Sequence, residues 1–170
     1  LLATLEENRW VEQTDAELYR LGASCLRLAR SFSRTRLVTR HARPALASLC
    51  RETGETTHLG VLRNFEVIHL DGEQAPGMIS GTLRVGERLP GHCTALGTVL
   101  LACGPKATVE AYDREVIAKR GVAARTEATI VDRDKLIEHL RQVAAQGFAL
   151  DVEECERGMS CAAAPIIDES

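Results

Sequence analysis

The stretch GFALDVEECERGMSCAAAPIID, residues 147–168, sets a carboxylate and a thiol where they could do chemistry. Asp151 closes one apolar run, and ten residues later Cys161 opens a run of three alanines. Four readings fit: a nucleophilic thiol beside an acid, a metal site, polar contacts in a ligand pocket, or a hairpin with a charged tip. A thiol enzyme or redox sensor would use Cys161 or Cys93 as nucleophile, His92 or His69 as base, and Asp151 to orient it. Against this, the apolar run around Cys161 raises its pKa and leaves it inert, and only Cys155 is near enough in sequence to resolve it. A zinc site would draw on His92, Cys93, Cys155 and Cys161, but their spacing matches no structural zinc pattern. No catalytic residue, metal or cofactor is therefore expected. Asp151 as a turn residue and Cys161 as a packed thiol are the plainer structural alternatives.

A second candidate is RLPGHCTALGTVLLAC, residues 88–103. Pro90, Gly91 and His92 precede an apolar helix, whose N-terminus offers unpaired N–H groups and the positive end of a dipole to a carboxylate or phosphate. Thr94 is either a cap satisfied by the local backbone or a ligand donor. The small Ala95 and Gly97 leave room for a ligand or for a neighbouring helix.

The elements that must position these groups follow from periodicity. Leu1, Leu2 and Leu5 read as the last turns of an amphipathic helix, and WVEQ and ELYRL around TDA read as a β-hairpin. Two helices follow over residues 22–54, the first carrying Leu26, Ala29 and Phe32 and the second Val38, Ala42, Ala45, Leu46 and Leu49, with Gly54 as terminator. Arg34, Arg36, Arg40 and Arg43 stand between them without an acid, on a solvated face or near DNA phosphates. TTHLGVL, EVIHL and MISGTLRV suggest an antiparallel meander. Helices are expected at residues 94–103, 108–120 and 133–146. In the last, Asp132 is the cap, Leu136, Ile137, Leu140, Val143 and Ala144 form the apolar stripe, and Gly147 ends it. The opening stretch supplies strand, loop and strand, giving an α+β domain whose antiparallel sheet is covered by helices.

Composition narrows the function. The 170 residues carry a formal charge of −3, which argues against the whole chain being a nucleic-acid clamp. Apolar runs such as VLLAC are too short to span a bilayer, so a cytoplasmic protein is expected. Cysteines at 25, 50, 93, 103, 155 and 161 never form CxxC and read as reduced thiols, mostly core filler. Both ends fall in mid-element, so further chain is expected on either side.

LLATLEENRWVEQTDAELYRLG, RLPGHCTALGTVLLA and GFALDVEECERGMSCAAAPIID together resemble the IclR-type bacterial transcriptional regulators. The last motif is the most specific, with Gly147, Asp151, Glu154, Gly158, Cys161, Ala163, Ala164 and Ile166 at the family's spacing. The resemblance implies that residues 1–21 are the end of a winged helix-turn-helix, residues 22–34 a linker helix, and residues 35–170 a GAF-like effector-binding domain. It implies a ligand-responsive regulator, not an enzyme, that couples binding of a small organic acid to operator DNA binding as a homodimer or tetramer. By position, Ala95 and Leu96 would give backbone N–H groups to a carboxylate, with Thr94, Asp151 and Cys161 as polar contacts. Met78, Gly81, Leu89 and Met159 would form the pocket wall, and Thr4, Arg9 and Arg20 would touch DNA. One departure stands out: Arg9 occupies the place of the glycine that usually ends the family's recognition helix. The family's first helices and its C-terminal strand and helix are also absent, so weak operator binding and an incomplete pocket are expected of this chain.

Overall fold

A computed structural model of the chain describes residues 1–14, 16–31, 33–76 and 85–167, leaving aside the side chains of residues 28–31 and 33–36. The expected strand MISGTLRV therefore lies outside the described residues except for Val85, and with it Met78 and Gly81. The side chains of Ala29, Phe32, Arg34 and Arg36 lie outside them too. Two compact units are present, Leu1–Ala45 and Leu46–Ser170.

In the first unit, α1 (Leu2–Glu7) leads into an antiparallel ribbon of β1 (Val11–Gln13) and β2 (Tyr19–Leu21), followed by α2 (Ser24–Ser31) and the first part of α3 (Ser33–Thr53), whose residues from Leu46 onward belong to the second unit. Arg9 takes the left-handed conformation, φ 57°, where a glycine would be easier. The turn is held by its neighbours: Trp10 N–H donates to the Leu5 carbonyl at 2.8 Å, and Ser24 N–H donates to the Arg9 carbonyl at 3.0 Å. Gly22 allows this closure, because a Cβ there would lie 2.3 Å from the Arg9 carbonyl oxygen. Pro44 removes one backbone bond from α3. Gly54, φ 76°, ends that helix in the left-handed conformation expected of it.

The second unit holds a sheet of β3 (Thr57–Arg63), β4 (Glu66–Glu73) and β5 (Arg88–Pro90), all antiparallel. Asn64 and Phe65, both at positive φ, make the tight β3–β4 turn. Phe65 also packs its ring against Tyr112, with centroids 5.4 Å apart. A register shift at Leu59/Gly60 bends the ladder, and Gly60 leaves room for Val67 and Leu96.

Next comes α4 (Ala95–Cys103), apolar on every side, as a helix enclosed by other elements must be. It packs against β3, β4, α5 (Ala107–Tyr112), α7 (Arg133–Gln146), and the separate hairpin of β6 (Ala149–Val152) and β7 (Ser160–Ala163). Leu101, Tyr112, Val116, Ile117, Leu136 and Leu140 form one buried cluster, and Val99, Val143 and Ala149 form another. Each fully buried Leu or Val is worth about 1.5–3 kcal/mol of transfer free energy.

Two local expectations need correction. The helix expected over residues 108–120 is interrupted by a π-helical turn at Asp113–Ile117 before α6 (Ala118–Arg120). In α7, Asp132 accepts the Lys135 N–H at 3.0 Å and Gly147 is left-handed as foreseen. Ala144, however, is exposed, because α7 meets α4 along the narrower line of Leu136, Leu140 and Val143.

A Cβ at Gly97 would lie 2.4 Å from both the Cα and the carbonyl oxygen of Gly91, backbone that cannot step aside. Gly97→Ala is therefore expected to cost about 3 kcal/mol or more in urea unfolding. Gly158→Ala, with open space and only a positive φ against it, should cost about 1 kcal/mol. Equal losses would show that the close approach at Gly97 is not tight.

Candidate functional site

The start of α4 is built by Thr94. Its hydroxyl donates to the Pro90 carbonyl at 3.0 Å and accepts the Gly97 N–H at 3.1 Å, closing the loop onto the helix. The Thr94 carbonyl accepts the Thr98 N–H at 2.9 Å. Ala95 and Leu96 thus carry the first-turn amides that the helix itself leaves over. Ala95 is buried and Leu96 half-buried. Leu89 stands opposite Val67 in the β4–β5 register, and Val67 shares the face of Gly60 that looks toward Leu96.

Asp151 and Cys161 are direct partners across β6 and β7, so both side chains leave the hairpin on one face. On β6, Ala149 and Asp151 are buried while Leu150 and Val152 are exposed. Asp151 is 3% exposed, and one of its carboxylate oxygens accepts the N–H groups of Glu154 at 2.7 Å and Cys155 at 3.4 Å. It therefore shapes the loop whatever else it does. Burial pushes its carboxyl up against those two bonds. Cys161 is exposed as a residue, yet the atoms crowding its sulfur, then the nearby Asp151 and Cys155, push the thiol up. Met159 is half-buried, its carbonyl accepting the Glu153 N–H at 2.9 Å across the loop.

Sequence reasoning missed the anchor of this loop. The Thr126 hydroxyl donates to the Glu153 carbonyl at 2.6 Å, the Thr129 hydroxyl to the Glu154 carbonyl at 2.7 Å, and Arg125 Nε to the Cys155 carbonyl at 3.1 Å. Thr129 in turn accepts the N–H groups of Arg125 and Thr126. The only signal in RTEAT is a pair of threonines with no periodicity. An open cavity of about 480 Å³ lies here, lined by Arg125, Thr126, Thr129 and Arg157 among others, but by none of the residues named from sequence.

The histidines are placed elsewhere. His92 is buried against the Ala123 carbonyl at 3.0 Å, and burial chiefly holds its pKa down. His69 packs beside His58, ring centroids 5.0 Å apart. Among the described residues, no three or more His, Cys, Asp or Glu side chains are grouped to hold a metal ion. Nor is any described helix long and apolar enough to cross a membrane. In the other unit, Arg20 pairs with Glu12 at 2.9 Å on the exposed ribbon, and Thr4 and Arg9 are exposed.

The order of these parts is that of known proteins. A family model described as bacterial transcriptional regulator IclR C-terminal matches residues 30–170. The chain belongs to the IclR family. Among IclR relatives, the HTH-type transcriptional regulator XynR of Escherichia coli is 33% identical over 98% of this chain and 65% of its own length. The glycerol operon regulatory protein of Streptomyces coelicolor is 36% identical over 99% of this chain and 64% of its own. The chain thus spans slightly less than two thirds of these curated relatives. A solved IclR homologue from Microbacterium hydrocarbonoxydans, complexed with 4-hydroxybenzoate, superposes with a TM-score of 0.86 at 25% identity, covering 99% of this chain and 68% of that one. IclR of Thermotoga maritima gives 0.76 at 27% identity, covering 98% and 66%.

Glu154 generates a pH prediction. Burial, then the neighbouring Asp151, raises its carboxyl from 4.5 to about 7, against an opposing bond from Ile130 N–H. Folding then favours the protonated form, so its contribution to stability is complete below pH 4.5 and falls as pH rises to about 7. Asp151 acts with the same sign. Glu154→Gln should flatten the fall in Tm across that window; an unchanged slope would place the titration on other groups.

Proposed function

We propose that this chain is the effector-sensing part of a ligand-responsive transcriptional regulator. Residues 35–170 form the sensor, residues 22–34 the linker helix, and residues 1–21 the end of a winged helix-turn-helix. In the full-length protein the sensor works with operator DNA as a homodimer or tetramer in the cytoplasm. Thr4, Arg9 and Arg20 serve the DNA side, and the sensor has no catalytic role. The observation that carries this reading is the pairing of Asp151 with Cys161 on a hairpin packed against α4, whose first turn leaves the Ala95 and Leu96 amides unused by the helix. The relative that binds 4-hydroxybenzoate supports a carboxylic acid as the effector class.

The chemistry is consistent. Two first-turn amides and the helix dipole favour a carboxylate, and the upward shift that burial gives the Asp151 carboxyl lessens its opposition to a second acid beside it. Thr94, Cys161, Leu89, Met159, Met78 and Gly81 complete the proposed surroundings. Regulation follows if the acid binds one arrangement of the DNA-binding pair more tightly than another.

Thermal melts of the full-length protein with a panel of small carboxylic acids, 4-hydroxybenzoate included, test this reading. A true effector at about a hundredfold excess over its Kd should add about 2.7 kcal/mol of stability, a shift of several degrees. It should also change binding to DNA upstream of the gene. Asp151→Ala should weaken the acid more than it weakens the fold. Absence of any shift across the panel would overturn the proposal, and lost stability with unchanged affinity would make Asp151 a loop anchor alone.

A further inference from the structure

The β3–β4 ladder carries two side chains that the fold leaves unsatisfied. His69 on β4 stands directly opposite Gly60 on β3, and His58 precedes Gly60 by one full alternation of the strand. Both imidazoles therefore leave the sheet on the Gly60 face. Their rings meet there, with centroids 5.0 Å apart and planes tilted by 58°. Gly60 turns this face toward Leu96 in the first turn of α4, and Leu89, opposite Val67, shares it. The two histidines thus stand on the same wall as Leu89, against the helix start that presents the Ala95 and Leu96 amides.

His69 is 8% exposed and His58 is half-buried. The backbone of His69 is fully used: its N–H donates to the Glu87 carbonyl at 3.0 Å, and its carbonyl accepts the Gly86 N–H at 2.8 Å. The ring is not. Nδ1 of His69 and Nδ1 of His58 are both enclosed, and neither has a hydrogen-bond partner among the described residues. Enclosing a polar nitrogen without a partner costs stability, and folded proteins leave few such atoms. His92, buried to a similar degree, satisfies its ring with the Ala123 carbonyl. Two orphaned nitrogens side by side on one face mark a place for a polar group that the chain does not itself supply.

The state of the rings narrows that group. Burial, and at His58 then the His69 ring, hold both imidazoles below their usual pKa against the opposing effect of Glu87, so both are neutral at neutral pH. A neutral imidazole has one nitrogen that donates and one that accepts. A hydroxyl also does both, so it can pair with the two rings together. A carboxylate only accepts and gains most from charged rings, and an ammonium only donates.

We propose that His58 and His69 form a subsite for a hydroxyl group, so that the acid held at the start of α4 is a hydroxy acid. This deepens the effector reading and rests on it. The carboxylate meets the Ala95 and Leu96 amides, and the hydroxyl meets the two Nδ1 atoms farther along the same face of the sheet.

Calorimetric titration of the full-length protein compares benzoate with each of its monohydroxy isomers, and butyrate with each of its own. At least one hydroxy acid should bind about tenfold or more tightly than its parent, the effect of one good hydrogen bond. His69→Leu and His58→Leu should each bring that ratio close to one, because an apolar side chain of similar size offers the hydroxyl no partner. The wild-type ratio stands even if a variant fails to fold. Parent and hydroxy acids that bind equally well would overturn this inference and leave the effector reading in place. A preference that survives both substitutions would overturn it too. Titrations in which no acid of either series binds would overturn both readings together.

Discussion

The approach of Gly91 to Gly97 is the contact on which the larger unit depends. With no Cβ on either residue, the loop after β5 lies directly against the first turn of α4. Thr94 locks that arrangement by bonding Pro90 on one side and Gly97 on the other. The helix is thereby fixed where the β3–β4–β5 sheet, the β6–β7 hairpin, α5 and α7 can all pack against it. A side chain at Gly97 would separate loop and helix, and the surfaces that α4 joins would lose their common partner.

Polar groups hold what apolar packing leaves loose. The turn after β6 contains Glu153, φ 60°, and closes through the Met159 carbonyl. Its carbonyl groups are taken up by Thr126, Thr129 and Arg125, and its N–H groups by Asp151, so a charged loop becomes a defined wall. The cost is a buried carboxyl at Asp151, partly offset by the two N–H groups it accepts. The β6–β7 register places Asp151 directly across from Cys161.

Much of this architecture was legible because it rests on local chemistry. Asp132 and Gly147 delimit α7 through bonds made within a few residues, and Thr94 caps α4 in the same way. The β6–β7 hairpin follows from two apolar runs around a polar loop. Ala144 was misplaced because periodicity gives the centre of an apolar stripe better than its width, which the partner helix decides. Arg9 adopts the conformation that its type disfavours, because bonds from Ser24 and Trp10 hold the turn around it. The π turn after Tyr112 interrupts a segment whose pattern reads as one helix.

By itself the sequence determined the α+β class, the principal helices and the family, since cap residues, hydrophobic period and motif spacing are properties of neighbouring residues. Tertiary structure alone decided which groups meet. His92 went to the Ala123 carbonyl and His69 to a place beside His58. Thr126 and Thr129 became anchors of the β6–β7 loop. Those pairings join segments far apart in the chain, brought together by burying α4, and no local pattern encodes a contact whose partner is chosen by the packing of the whole unit.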